Sequence, residues 1–420
     1  MSYYLLPKIY NFLYVNPQDD INECQIYRSY SLYNFYNNIK TQIDNLCSKE
    51  DNALFNNYDE LIKIVHPYEY IFNKVPGSKY SVSKLKPQTN VFYDLLEIFV
   101  TLNIFDLYND KQIKTLHVSS ICEDSNECIQ MMRDNIFDDI FLNYTDNTDE
   151  MYKNINSLKF DFIFFNKPQK DINLYITKLI EFMMTILRYQ SIGGTSMIKI
   201  DYIFHKPIVD LIYILSSLFE KVYIIKPNTS NITSFEKYIV CKNFNVVDEA
   251  KLEIHKSNYY KLQSFIRNLN NRNIISIIDY EIPCYFTNKI DDINIIIGQQ
   301  QLESLDQIIN ILKNKNKDEK IETIKKCNIQ KSVYWCEKLQ IPYNKFSEKT
   351  NIFLPIVKDD KDNKNNNDNN HDNDDNHDND DNKDNKDLED NIEFNIEENI
   401  DLTIEVFGDN ELIETIKDVI

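Results

Sequence analysis

Between residues 111 and 250, short β-branched and aromatic runs alternate with stretches of helical periodicity, and this alternation restricts the chain more than any other feature. Strands are predicted at Thr115–Ile121, Phe137–Leu142, Phe160–Asn166, Ser196–Asp201, Lys221–Lys226 and Lys237–Lys242. Helical patterns at Asn126–Asp134, Ile172–Tyr189 and Lys206–Phe219 lie between them. Strands joined through helices pair in parallel, since the connection must return to the same end of the sheet. The expected class is therefore α/β, with a doubly wound, mainly parallel sheet whose ligands bind at the C-terminal strand ends, where strand order reverses.

The flanks differ in character. Residues 1–110 read mostly as helices, for example Tyr93 to Tyr108, and residues 251–357 as a helical extension, strongest at Gln299–Lys313 and Asp318–Lys325. Residues 358–391 form an Asp/Asn-rich linker in which Leu388 is the one aliphatic side chain before Asn391, too little apolar surface to offset ordering entropy, so disorder is expected there. Residues 392–420 regain an apolar pattern compatible with a short strand and helix. The net charge of −20 is concentrated at this end, because residues 359–420 hold 23 acids against 5 bases and leave the rest near neutral.

Eight cysteines include no C-x-x-C pair, and no histidine stands at a zinc-finger spacing from two of them, so free thiols in a reducing compartment and no metal are expected. The most apolar stretch, Leu179–Leu187, carries Glu181 and is too short to span a bilayer, and the first residues lack a basic region and a cleavage site. The expectation is an intracellular, cytoplasmic chain with no membrane partner. With 5 glycines in 420 residues there is no G-x-G-x-x-G, P-loop or G-x-S-x-G, which excludes the usual nucleotide-binding and hydrolase signatures.

Gly193-Gly194 follows a predicted helix, where C-cap glycines are ordinary. Lys199 then falls within the apolar strand Ser196–Asp201. A lysine so placed either snorkels from the strand end or is desolvated enough to act as a base. Further on, Phe219-Glu220-Lys221-Val222-Tyr223-Ile224-Ile225-Lys226-Pro227-Asn228-Thr229-Ser230-Asn231 is followed by Ser234-Phe235-Glu236-Lys237-Tyr238-Ile239-Val240. Together, a glycine pair, a strand lysine, a strand ending in Lys-Pro-x-Thr-Ser and a closing Glu resemble the FtsJ-like RNA 2′-O-methyltransferases, in the form encoded by large DNA viruses. The resemblance spans roughly residues 70–345, with Asn231 where the family has Arg.

The resemblance implies a Rossmann-like methyltransferase sheet, S-adenosylmethionine as cofactor and RNA, including mRNA cap nucleotides, as substrate. It implies a Lys-Asp-Lys-Glu set in which the second Lys takes the ribose 2′-OH proton. Lys199 matches that Lys and Glu236 the closing Glu; Asn166 stands at the Asp position, and Asp94 at the first Lys, with Lys84 or Lys86 as nearby substitutes. The glycine loop that approaches the cofactor's methionine moiety is replaced by Cys122, Glu123, Asp124, Ser125 and Asn126, and of these Cys122, Asp124, Ser125 and Asn126 are the expected cofactor contacts. Lys226 and Ser230 are the expected substrate contacts, with Lys237 and Lys242 beside Tyr223 and Tyr238 as an RNA-facing set. Asp146 or Asp149 would serve the cofactor ribose.

Two functions remain open on this reading. One is an active RNA 2′-O-methyltransferase. The other is a noncatalytic binding or scaffold protein, a methyltransferase subunit or virion component, with a protein partner completing or replacing the active site. The acidic tail is either solubilising or an internal polyanion competing for the same lysines as RNA.

Overall fold

The computed structural model describes residues 1–345 except 12, 50–56, 109–110, 134–137, 146–150, 153–154, 156–157, 246–248, 271 and 315–316. The expected disordered linker and C-terminal segment, and both ribose candidates Asp146 and Asp149, lie outside the described residues. Met1–Asn344 forms one compact unit.

Its elements in chain order are β1 (Ser2–Leu5), β2 (Gln18–Asp20), α1 (Tyr30–Cys47), α2 (Tyr58–Val65), α3 (Glu69–Phe72), α4 (Val91–Leu102), β3 (Lys114–Ser119), α5 (Glu123–Met132), β4 (Ile140–Tyr144) and β5 (Phe160–Asn166). Then come α6 (Ile172–Tyr189), β6 (Gln190–Ile200), α7 (Lys206–Leu218), β7 (Phe219–Lys226), β8 (Lys237–Phe244), α8 (Glu249–Arg267), β9 (Asn273–Ser276), α9 (Cys284–Lys313) and α10 (Lys317–Lys338). Among the described residues, seven strands make one mixed sheet in the order β1-β7-β8-β6-β5-β3-β4. Strands β4, β3, β5 and β6 are mutually parallel, and β8 is antiparallel to both β6 and β7. The chain leaves β3 outward to β4 and then returns to β3's other side as β5, so strand order reverses there, and this is a Rossmann-like methyltransferase sheet with helical extensions.

Burial explains why β5 is almost wholly apolar. Ile163 and Phe165 face α6 and α7 in the main core, while Phe162 meets Phe99 and Phe105 on the other side, with ring centroids 5.6 Å away in both cases. A strand covered on both faces cannot alternate. Each fully buried Phe contributes roughly 1.5–3 kcal/mol. Helix α6 begins where Asp171 accepts from Leu174 N at 2.8 Å, and α7 where Pro207 suits the first turn.

Two expectations are corrected. Gly193-Gly194 does not cap a helix: α6 ends at Tyr189 and the glycines lie inside β6, where register slips between Phe160↔Gln190 and Phe162↔Thr195. Gly193 has φ +76°, and a Cβ on Gly194 would lie 2.9 Å from Asp161 O, so this bulge requires glycine on two separate grounds. The N-terminal region is also not all helix. Strand β1 extends the main sheet by pairing Ser2 with Lys226, and β2 pairs with β9, because remote partners order short segments that have no periodicity of their own.

Candidate active site

The C-terminal ends of β5, β6 and β7 bring Asn166, Lys199 and Lys226 to one edge, and the chain returns past Glu236 into β8. Lys199 is paired across the sheet with Tyr238, which is also level with Ile225 of β7. Lys199 Nζ lies 3.0 Å from Glu236 Oε2, with both side chains still partly reachable. Asp94 projects from α4 into the same cluster, 1% exposed, and accepts hydrogen bonds from the Thr229 hydroxyl and from Tyr238 Oη, the latter at 2.9 Å. Asn166 ends β5, half-buried and level with Ser119 of β3. Lys84 and Lys86, in the segment before α4, are exposed.

The charges set one another. Burial alone would lower the Lys199 ammonium, but Glu236 and Asp94 outweigh it and hold Lys199 above its ordinary value. Burial pushes Glu236 up, and Lys199 with Lys226 overcomes it, holding the carboxyl down to about 2. Asp94 goes the other way: burial raises it to about 6 against the attraction of Lys199 and its two hydroxyl donors.

The expected substrate contacts face inward. Lys226 Nζ donates to the carbonyls of Asn231, Ser234 and Glu236 at 2.7, 2.9 and 2.7 Å, closing the loop 227–236 around itself. Ser230 donates to Pro227 O at 2.8 Å, and its own carbonyl oxygen accepts from His66 Nε2 at 2.9 Å, the His66 tautomer being fixed by Tyr68 N donating to Nδ1. Lys237 is fully buried with no hydrogen-bond partner for Nζ, and burial with nearby Lys226 pushes it down to about 7. Tyr238 is interior and Lys242 donates to Leu102 O at 2.6 Å, so of the expected RNA-facing set the lysines and Tyr238 are held within the chain, and Tyr223 is partly exposed.

What sequence reasoning missed is a cavity of about 350 Å³ beside Glu236, lined by Tyr36, Lys170, Asp201, Tyr202 and Phe235 among others. Tyr36 comes from α1 and is fixed by donating to Thr233 O at 2.8 Å, with its ring 4.5 Å from that of Phe235. No local motif announces a residue brought from so far away in sequence. A second cavity of about 380 Å³ lies at the opposite end of the sheet, and two of its polar side chains are already engaged: Lys8 donates to Ser217 O and Phe219 O, Asn258 to Leu13 O.

The loop between β3 and α5 runs inward as well. Cys122 is buried with Sγ 3.3 Å from Ser119 O, Ser125 lies 2.6 Å from His117 Nδ1 and donates to Cys122 O, and Asp124 accepts from the backbone of Gln88 and Thr89. Among these four, Asn126 alone keeps a buried unpaired oxygen, Oδ1. Three of the four expected contacts are thus committed within the chain, and the set does not fit the methionine end of S-adenosylmethionine.

Residues 74–244 match the family of FtsJ-like methyltransferases. They are an FtsJ-like methyltransferase domain. Over 63 residues the chain is 38% identical to a cap-specific mRNA (nucleoside-2′-O-)-methyltransferase 2 of Drosophila melanogaster, a match covering 15% of this chain and 9% of that protein. Over 228 residues it is 25% identical to an uncharacterized protein of Acanthamoeba polyphaga mimivirus, covering 53% of this chain and 58% of that one. The chain thus spans less than two thirds of either relative. A crystal structure described as a ribosomal RNA methyltransferase of Plasmodium falciparum covers 37% of this chain and 98% of its own, with 20% identity and a TM-score of 0.29, and the fold assignment rests on strand order rather than on that superposition. Among the described residues no helix is long and apolar enough to cross a membrane.

Proposed function

We propose that the FtsJ-like domain is an RNA-binding homologue of the S-adenosylmethionine-dependent RNA 2′-O-methyltransferases in which methyl transfer is reduced or lost. One observation carries this reading: Lys199, the counterpart of the proton-accepting lysine, lies under the field of buried Asp94, a carboxylate where the family has its first lysine. A general base needs a free lone pair near working pH. The family places a lysine at the Asp94 position, which repels the second lysine's proton; a carboxylate there retains it.

RNA binding is supported by the cavity beside Glu236. The partly exposed Tyr36 and Tyr202 offer aromatic surface, and Asp201 offers an acceptor to the N–H edge of a splayed base. Stacking of this kind is worth about 1–3 kcal/mol per base. Cap-proximal nucleotides are the first substrates to test, given the activity named for the Drosophila relative. An intracellular setting, cytoplasm or virion, accompanies this reading, with the mimivirus relative as its support.

The test pairs fluorescence anisotropy on capped and uncapped oligoribonucleotides with transfer of a labelled methyl group. RNA binding weakened by about tenfold in Tyr36→Ala, with no transfer above the Lys199→Ala background, is expected. Turnover that disappears in Lys199→Ala would remove the claim of lost activity, and no binding to either RNA would remove the RNA claim.

A further inference from the structure

Asp124 is a buried carboxylate with both oxygens engaged inside the chain. It stands in the first turn of α5, at the C-terminal end of β3, and is 1% exposed. Oδ1 accepts from Gln88 N at 2.8 Å; Oδ2 accepts from Thr89 N at 2.8 Å and from the Thr89 hydroxyl. These bonds fasten the segment leading into α4 onto the loop that follows β3. Charge-assisted bonds to backbone N–H groups are among the stronger ones a carboxylate makes, and here burial protects them from water.

An amino-acid-bearing cofactor brings its own carboxylate to this strand end and needs N–H donors of this kind. We propose that Asp124 is an internal substitute for that carboxylate, and that the chain closes the methionine end of its own cofactor cleft. The inference rests on the family reading above and is independent of RNA binding. The neighbours agree with it: the Cys122 thiol turns to Ser119 O, Ser125 is engaged by His117, and the loop has no glycine whose missing side chain would admit a ligand. An adenosine group, which carries no carboxylate, meets no such competition.

Calorimetry on the full chain tests this, with S-adenosylhomocysteine and adenosine as separate ligands. In the wild type the two are expected to bind equally, because the homocysteine part adds nothing. In Asp124→Ala, two freed amides should raise the affinity for S-adenosylhomocysteine by about tenfold or more while leaving that for adenosine unchanged. A wild type that binds S-adenosylhomocysteine about tenfold tighter than adenosine overturns the proposal. So does a folded Asp124→Ala that gains nothing. Hydrogen–deuterium exchange on the wild type does not depend on the variant folding: the peptide spanning Lys84 to Leu95 should exchange equally with and without millimolar S-adenosylhomocysteine, and protection on adding it also overturns the proposal. Anisotropy with RNA on the same preparation separates this outcome from failure of the RNA reading.

Discussion

Tyr238 donates its hydroxyl to Asp94 at 2.9 Å while its ring centroid lies 5.8 Å from Lys199 Nζ, so one residue touches both the lysine that must lose a proton and the carboxylate that opposes the loss. Tyr238 and Lys199 are direct partners across β6 and β8, so this relation is built into the sheet rather than into a mobile side chain.

Asp94→Asn keeps the shape of the acceptor and removes its charge. Loss of a nearby opposite charge shifts a pKa by about 1–3 units, so the Lys199 ammonium should titrate lower by that order, observed by NMR of carbon-labelled lysine side chains. An unchanged Lys199 titration would show that Glu236 alone holds the proton.

Asp94 also sets a pH dependence. Its folded-state carboxyl, raised to about 6 by burial, lies above the unfolded value, so its contribution to stability is fully present below about pH 4 and is lost as pH rises through 6. Glu236, held down to about 2 by the neighbouring lysines against burial, contributes above its unfolded value and loses that contribution as pH falls through 2. Urea unfolding of Asp94→Asn between pH 4 and 7 should therefore be flatter than that of the wild type.

Lys237 is a buried amine without a hydrogen-bond partner among the described residues. Its folded-state value, lowered to about 7, lies below the unfolded one, so the neutral form is favoured in the fold and its contribution declines as pH falls through 7. Lys237→Met keeps much of the stem and removes the unpaired group, and should stabilise the protein at pH 6 by about 1–3 kcal/mol in urea titrations. Destabilisation instead would mean that Nζ has a partner it needs.

The bulge in β6 gives a test of backbone geometry. Gly194→Ala sets a methyl 2.9 Å from a backbone oxygen and should cost about 1–3 kcal/mol, while Gly193→Ala, at φ +76° with only an ordinary contact to Asn243 Oδ1 at 3.8 Å, should cost about 1 kcal/mol. Equal midpoints for wild type and Gly194→Ala would show that the strand relaxes freely there.

The parts of this structure that could be read from sequence are those whose causes are local. Phe160–Asn166 and Ile172–Tyr189 have the bounds their residues imply, since double-sided burial and the Asp171 cap act within a few positions. The approach of Lys199 to Glu236 was legible through the order of a motif. The inward turn of Lys226 was not, because a lysine near a strand end carries no sign of the three carbonyls that a later loop supplies. Tyr36 and Asp124 depend on partners from elements distant in sequence, and neither has a pattern that points to them.

The pairing of Ser2 with Lys226 also bears on synthesis. At about 5–20 residues per second, β1 leaves the ribosome roughly 10–40 s before β7 exists to receive it. During that interval Tyr3, Tyr4 and Leu5 form an unpaired strand edge while β3, β4, β5 and β6 emerge and pair with one another. The β1 edge of the sheet therefore closes only once β7, far along the chain, has been made, so this non-local pairing is completed late in folding.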